Sequence, residues 1–110
     1  MNITLTTRRC EIDQDTTSRA EARVARLVRF EPRLTSAELI FTEERHLKQV
    51  EGILTVDGNE PVVASGEGDA FSEALDQLLD RLDRILRKRR SQRRRHRGPG
   101  TKDLPQPDSA

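Results

Sequence analysis

The chain has 110 residues, of which 33% are hydrophobic and 3% are aromatic, so it can form one small domain with a modest aliphatic core. Its formal net charge of +1 conceals an asymmetry, because residues 1–83 contain 10 Lys and Arg against 17 Asp and Glu, whereas residues 84–97 contain 9 and none. The single Cys10 excludes an internal disulfide, and the sequence has neither an apolar run long enough to span a membrane nor a signal-peptide layout, so we expect a cytoplasmic protein.

The first elements predicted in chain order are a strand and a helix. Apolar and polar residues alternate in MNITLTTRRC, which is typical of a short strand. Apolar residues then recur at helical spacing in EIDQDTTSRAEARVARLVRF, with Asp13 as the predicted N-cap. The helix is expected to end near Phe30, because Pro32 disfavours helical backbone just before it. Its predicted apolar stripe consists of Ala20, Val24 and Leu27.

Three strands are predicted next. LTSAELIFTEE alternates between two faces, RHLKQ is the predicted turn, and VEGILTV is the third strand. Asp57-Gly58 predicts a hairpin. EPVVASGEG follows as a fourth strand, and Pro61 near its start indicates an edge position, because proline cannot donate to a strand ladder.

The last predicted element is a helix in DAFSEALDQLLDRLDRILRKRR, with Asp69 at its start. Its acidic first half and basic end suit the helix dipole. Its predicted apolar stripe consists of Phe71, Leu75, Leu78, Leu82 and Ile85. The predicted fold is α+β, in the order β-α-β-β-β-α, with a four-stranded, mostly antiparallel sheet and two helices packed on one face. The predicted domain covers residues 1–90, and residues 91–110 are predicted to be a basic, then Pro/Gly-rich, disordered tail.

The sequence gives no argument for an enzyme. It has no glycine-rich phosphate loop and no Cys/His cluster with metal-ligand spacing, and His46 and His96 are interpreted as surface residues. Its acidic residues are scattered over amphipathic faces. We therefore expect no catalysis, no cofactor, no metal and no small-molecule substrate.

Basic residues recur in rows on both predicted helices. Arg19, Arg23 and Arg26 share one face of the first helix. On the last helix, one face carries Arg81, Arg84 and Lys88, with Arg87 near its side. Two helices on one side of a sheet could join these rows into a cationic groove for RNA phosphates, for which the guanidinium fork is suited. The alternative is that both rows are solvated faces, paired locally with acidic neighbours.

Four stretches resemble the ribosome hibernation-promoting factors, also called ribosome-associated translation inhibitors, of the short single-domain type. They are MNIT, EIDQDTTSRAEARVARLVRF, LTVDGNE and, most specifically, ALDQLLDRLDRILRK, and the resemblance covers roughly residues 1–90. It implies the same β-α-β-β-β-α fold. It also implies binding to the small ribosomal subunit and the intact ribosome, in the channel that holds messenger and transfer RNA, to silence ribosomes under stress or in stationary phase.

The resemblance also implies a set of residues that contact ribosomal RNA. Basic positions of the family are matched on the first helix by Arg23 and Arg26, and on the second by Arg81, Arg84 and Lys88. Three further residues extend this surface on charge alone: Arg87, Arg89 and Arg90.

Two other hypotheses remain open from the residues. The chain could be a generic RNA- or acidic-partner-binding module driven by its Arg-rich C-terminal tail, in which case deletion of residues 91–110 would abolish binding. Alternatively, it could be an interaction module that dimerises through the open sheet face, in which case no salt-sensitive RNA binding is expected.

Overall fold

Four strands and two helices form the part of the chain that is described, residues 1–97 of a computed structural model. The elements are β1 (Asn2–Arg8), α1 (Gln14–Arg26), a 3₁₀ turn (Leu27–Arg29), β2 (Leu34–Glu44), β3 (Leu47–Val56), β4 (Val62–Gly68) and α2 (Phe71–Arg97). The predicted β-α-β-β-β-α order is therefore confirmed.

The sheet is mixed, with the strands in the spatial order β1-β2-β3-β4. β1 pairs with β2 in parallel, with Leu5 opposite Leu39, and the other two pairings are antiparallel. The parallel pair follows from the α1 crossover, since parallel neighbours cannot be joined by a tight turn. β4 lies at an edge, as the proline before it predicts.

α1 begins where its sequence predicts. The Asp13 side chain accepts a hydrogen bond from the Thr16 backbone N–H at 2.8 Å, which satisfies a donor of the first turn. Ala20 and Val24 are fully buried against the sheet. The α-helix ends at Arg26, before the predicted end near Phe30, and the chain tightens into the 3₁₀ turn at Leu27–Arg29.

The turn between β2 and β3 is shorter than RHLKQ predicts. Glu44 pairs with Leu47, so the connection consists of Arg45 and His46, and Leu47–Gln49 belong to β3. Arg45 adopts φ 59°, as the first position of a two-residue hairpin loop requires. Lys48 lies opposite Glu43 with 3.2 Å between Nζ and Oε2, so a cross-strand ion pair lies within the added length of β3.

The apolar stripe of α2 is wider than the predicted one. Leu75, Leu78 and Leu82 are fully buried, whereas Phe71 and Ile85 are partly exposed at its margin. Three further residues complete the buried face: Ala74, Leu79 and Leu86. The helix continues past the predicted boundary at residue 90 to Arg97, and the remainder of the predicted tail, residues 98–110, lies outside the described residues.

Candidate RNA-binding surface

α2 carries six of the eight predicted RNA contacts, and a glycine of β4 sets its distance from the sheet. A Cβ on Gly66 would lie 2.6 Å from the Leu78 backbone nitrogen and would also overlap the Ala74 carbonyl oxygen. Both are backbone atoms of α2, so they could not move without moving the helix. Glycine at position 66 therefore lets α2 lie directly on β4, which fixes the position of its basic residues.

Side chains of α2 cover the outer edge of β4. The Gln77 side-chain oxygen accepts a hydrogen bond from the Glu67 backbone N–H at 3.0 Å, and Arg81 donates one to the Ser65 carbonyl at 2.5 Å. Near the other end of the strand, Arg89 donates to the Glu60 carbonyl at 2.8 Å. β4 has no strand on this side, so these bonds satisfy backbone groups that would otherwise form an open edge. Arg81 and Arg89 thus have structural partners.

The opposite flank of α2 faces α1 across a seam of mixed charge. Arg23 of α1 and Asp76 of α2 form an ion pair with 2.7 Å between Nη1 and Oδ1. Further along α2, Asp83 pairs with Arg87, with 3.1 Å between Oδ1 and Nε. The Arg87 guanidinium also lies over the Phe30 ring, 4.7 Å from its centroid, in a cation–π contact. Arg23 and Arg87 are therefore both held by neighbours within the domain.

The seam between the two predicted basic rows holds carboxylates as well as arginines. Arg81 reaches β4, and Arg84 and Lys88 share its side of α2, because residues three and seven apart on a helix lie on one face. Arg23 contacts the other flank of α2, where Asp76 and Asp83 lie. The seam between the helices is therefore not purely cationic, and a groove that joins both rows stays a prediction.

The eight predicted contacts divide into two groups. Four are engaged within the domain: Arg23, Arg81, Arg87 and Arg89. Four are exposed, and no hydrogen bond or ion pair engages them among residues 1–92, whose side chains the structure describes: Arg26, Arg84, Lys88 and Arg90. The second group offers unpaired guanidinium and ammonium groups to a ligand. Contact with RNA stays a prediction for all eight.

Sequence reasoning missed the partners that hold the seam together. Asp76 and Arg23 are 53 positions apart in the chain, and no local pattern indicates that they meet. The Phe30–Arg87 contact likewise depends on how α1 ends beside α2. Asp83 and Arg87 do carry a signal, since oppositely charged residues four apart on a helix are expected to pair.

Among the residues that the structure describes, no group of three or more His, Cys, Asp or Glu side chains could hold a metal ion. No helix within residues 1–97 is long and apolar enough to cross a membrane. A depression on the sheet face away from the helices is lined by polar groups such as Thr42, Gln49 and Glu51 around Ile40.

Element order and surface define a class of small α+β domain in which a long, basic helix covers the edge of a mixed sheet. The chain belongs to the family described as Sigma 54 modulation protein / S30EA ribosomal protein, whose model matches residues 3–94. The family prediction is therefore confirmed.

Curated relatives and solved structures agree with this assignment. The chain is 36% identical over 88 residues to a ribosome hibernation promoting factor of Azotobacter vinelandii, covering 79% of this chain and 81% of the relative. It is 30% identical over 88 residues to the factor of the same name from Pseudomonas putida, covering 80% of this chain and 85% of the relative.

Two solved structures share the fold. A ribosomal subunit interface protein from Coxiella burnetii superposes with a TM-score of 0.74 at 20% identity, over 83% of this chain and 99% of that one. The N-terminal domain of Thermus thermophilus Protein Y superposes with a TM-score of 0.71 at 24% identity, over 80% of this chain and 98% of that one. Both confirm the predicted fold class.

Proposed function

We propose that this chain is a ribosome-binding translation inhibitor. It binds ribosomal RNA of the small subunit and of the intact ribosome, occupies the decoding channel and promotes ribosome hibernation under stress or in stationary phase. It acts in the cytoplasm by steric exclusion of messenger and transfer RNA, and it needs no cofactor, small-molecule substrate or catalytic step.

The observation that carries the proposal is the relationship to curated proteins named as ribosome hibernation promoting factors. The match to the Azotobacter vinelandii protein runs over 88 residues at 36% identity and spans most of both chains. The family model matches residues 3–94 and so spans all four strands, α1 and most of α2.

The charge on α2 supplies a physical basis for RNA binding. Arg84, Lys88 and Arg90 are exposed from its midpoint onward and hold no partner among residues 1–92, so they can meet phosphates without first breaking an internal bond. Each phosphate that they neutralise releases counterions, which drives association and makes it depend on salt. Folded RNA is recognised through its shape and backbone, for which such a surface is suited.

Co-sedimentation with purified ribosomes and separated subunits tests the proposal. We expect the wild-type chain to travel with the small subunit and the intact ribosome at near-equal stoichiometry. Arg84/Lys88/Arg90→Ala should bind much more weakly while staying folded by circular dichroism. If each of the three residues meets one phosphate, the slope of log K against log salt should fall by about 2 to 3 in magnitude.

A matched control removes the same charge elsewhere. Arg8/Arg33/Arg45→Ala deletes three exposed arginines outside the two helices and should bind like the wild type. Failure of the wild type to bind either particle, or equal loss in both variants, would contradict the proposal. In the same assay, loss of binding on deletion of residues 91–110, with Arg84/Lys88/Arg90→Ala unaffected, would favour a generic module driven by its tail.

A further inference from the structure

The seam between α1 and α2 contains two carboxylates that hold arginines predicted to contact RNA. Asp76 binds Arg23 at 2.7 Å, and Asp83 binds Arg87 at 3.1 Å. A phosphate approaching either arginine therefore meets a cation whose charge is already balanced. The four exposed, unpaired residues of the predicted set have no ion-paired carboxylate among residues 1–92 that balances their charge.

Stability alone gives little reason for these pairs. The side chains of Arg23 and Asp76 are 32% and 51% exposed, and those of Arg87 and Asp83 are 63% and 33% exposed. Ion pairs at such sites are screened by water and contribute little to the free energy of folding. Their effect on a charged ligand is larger. A phosphate that binds the arginine lies close to the carboxylate, and the two negative charges repel each other.

This effect differs between two kinds of RNA. Binding to flexible, unstructured RNA is almost entirely electrostatic, so every balanced arginine reduces it directly. Binding to a folded RNA surface also depends on complementary shape and on phosphates fixed in position. The carboxylates therefore reduce the affinity for folded RNA by a smaller factor than the affinity for unstructured RNA. A neutral seam therefore lowers unspecific binding more than specific binding.

We propose that Asp76 and Asp83 are specificity-determining residues, which neutralise Arg23 and Arg87 in the free protein and so keep the helix surface from binding unstructured RNA. This rests on the proposed function only in taking the helix surface as the one that meets RNA. Of the eight predicted contacts, only Arg26, Arg84, Lys88 and Arg90 then offer an unpaired charged group to a phosphate. The two carboxylates act through the arginines that they hold, and they touch no RNA themselves.

The test uses the full-length chain and polyuridylate, an RNA without stable structure, with affinity measured from 50 to 200 mM salt. Asp76→Asn/Asp83→Asn keeps the size of both side chains and frees both arginines. Two recovered phosphate contacts should steepen the slope of log K against log salt by about 1.4. The variant should therefore lose about sevenfold more affinity than the wild type across this salt range, and it should bind more tightly at 50 mM.

Two further variants separate specificity from overall charge and from structure. Glu11→Gln/Asp57→Asn makes the same change in net charge at exposed positions in the loops before α1 and between β3 and β4, and it should keep the wild-type slope. Asp76→Glu/Asp83→Glu preserves the two charges and should also keep the wild-type slope of log K against log salt. A structural role for the two aspartates would lower the melting temperature without steepening the slope.

The inference is overturned if Asp76→Asn/Asp83→Asn binds polyuridylate no better than Glu11→Gln/Asp57→Asn, or if neither it nor the wild type binds. Weaker binding would overturn it too, since the carboxylates would then orient the arginines for contact. Ribosome affinity should rise by a smaller factor than polyuridylate affinity. Because polyuridylate contains no ribosome, failure of ribosome binding and failure of this inference give different results.

Discussion

Substitution of Gly66 by alanine should destabilise the domain far more than one added methyl group suggests. The new Cβ would lie 2.6 Å from the Leu78 nitrogen and would overlap the Ala74 carbonyl oxygen. Since these atoms belong to the backbone of α2, the helix and β4 must separate, and the buried faces of Ala74 and Leu78 must shift with them. Overpacking of a core costs about 1 to 3 kcal/mol, and rigid neighbours place this case near about 3 kcal/mol.

Urea unfolding followed by circular dichroism measures this cost, and Gly52→Ala provides the matched control. Gly52 also faces α2, but a Cβ there would meet the flexible side chains of Leu78 and Leu39 at 3.2 and 3.3 Å. We expect Gly52→Ala to lower the free energy of unfolding by about 1 kcal/mol. A loss of about 3 kcal/mol corresponds to a melting temperature lower by about 12 to 24 °C. If Gly66→Ala costs no more than Gly52→Ala, α2 does not lie against β4 as described.

Two further predictions concern the edge of β4 and the start of α1. Arg81→Ala should lower the free energy of unfolding by about 1 kcal/mol, because it leaves the Ser65 carbonyl without its donor. Arg84→Ala should change it by less than about 0.5 kcal/mol. Equal costs of the two substitutions in urea unfolding would contradict the division into paired and unpaired cations. Hydrogen bonds from the Thr16 side chain and backbone N–H hold the pKa of the Asp13 carboxyl below its ordinary value of 3.8. A lowered folded-state pKa stabilises the fold above the unfolded pKa and ceases to do so as the pH falls through the folded one. The stability advantage of the wild type over Asp13→Asn should therefore shrink between pH 6 and pH 3, and an advantage independent of pH would refute the cause given for the shift.

Local patterns predicted the elements wherever one side of an element is buried. Alternation in LTSAELIFTEE gave the bounds of β2, and the Asp13 cap gave the start of α1. The sequence pattern did not predict the start of β3, because Leu47 is exposed and Lys48 and Gln49 are polar. That end of the strand therefore lacks the alternation that a buried face produces. These residues pair with Thr42, Glu43 and Glu44 across the hairpin, which periodicity cannot reveal.

The candidate site was predictable as a set of charges but not as an arrangement. Helical spacing correctly placed Arg81, Arg84 and Lys88 on one side of α2. It could not tell that this side meets the edge of β4, because that depends on where Gly66 lets the helix lie. It also could not pair Arg23 with Asp76, since residues on two separate helices meet only through the packing of both on the sheet.

The end of the buried face explains why basic residues concentrate where they do along α2. The stripe of fully buried residues ends at Leu86, and Arg89 then donates to the Glu60 carbonyl in the loop before β4. Beyond this point the strand is no longer alongside, since β4 begins at Val62 and runs in the opposite direction to α2. A helix that has nothing to pack against gains nothing from apolar residues, so every position there is free to carry charge. The change from an apolar period to RKRR therefore indicates, in the sequence itself, where the buried face of α2 ends. Arg87 and Arg89 of this run still contact the domain, whereas Lys88 and Arg90 are exposed.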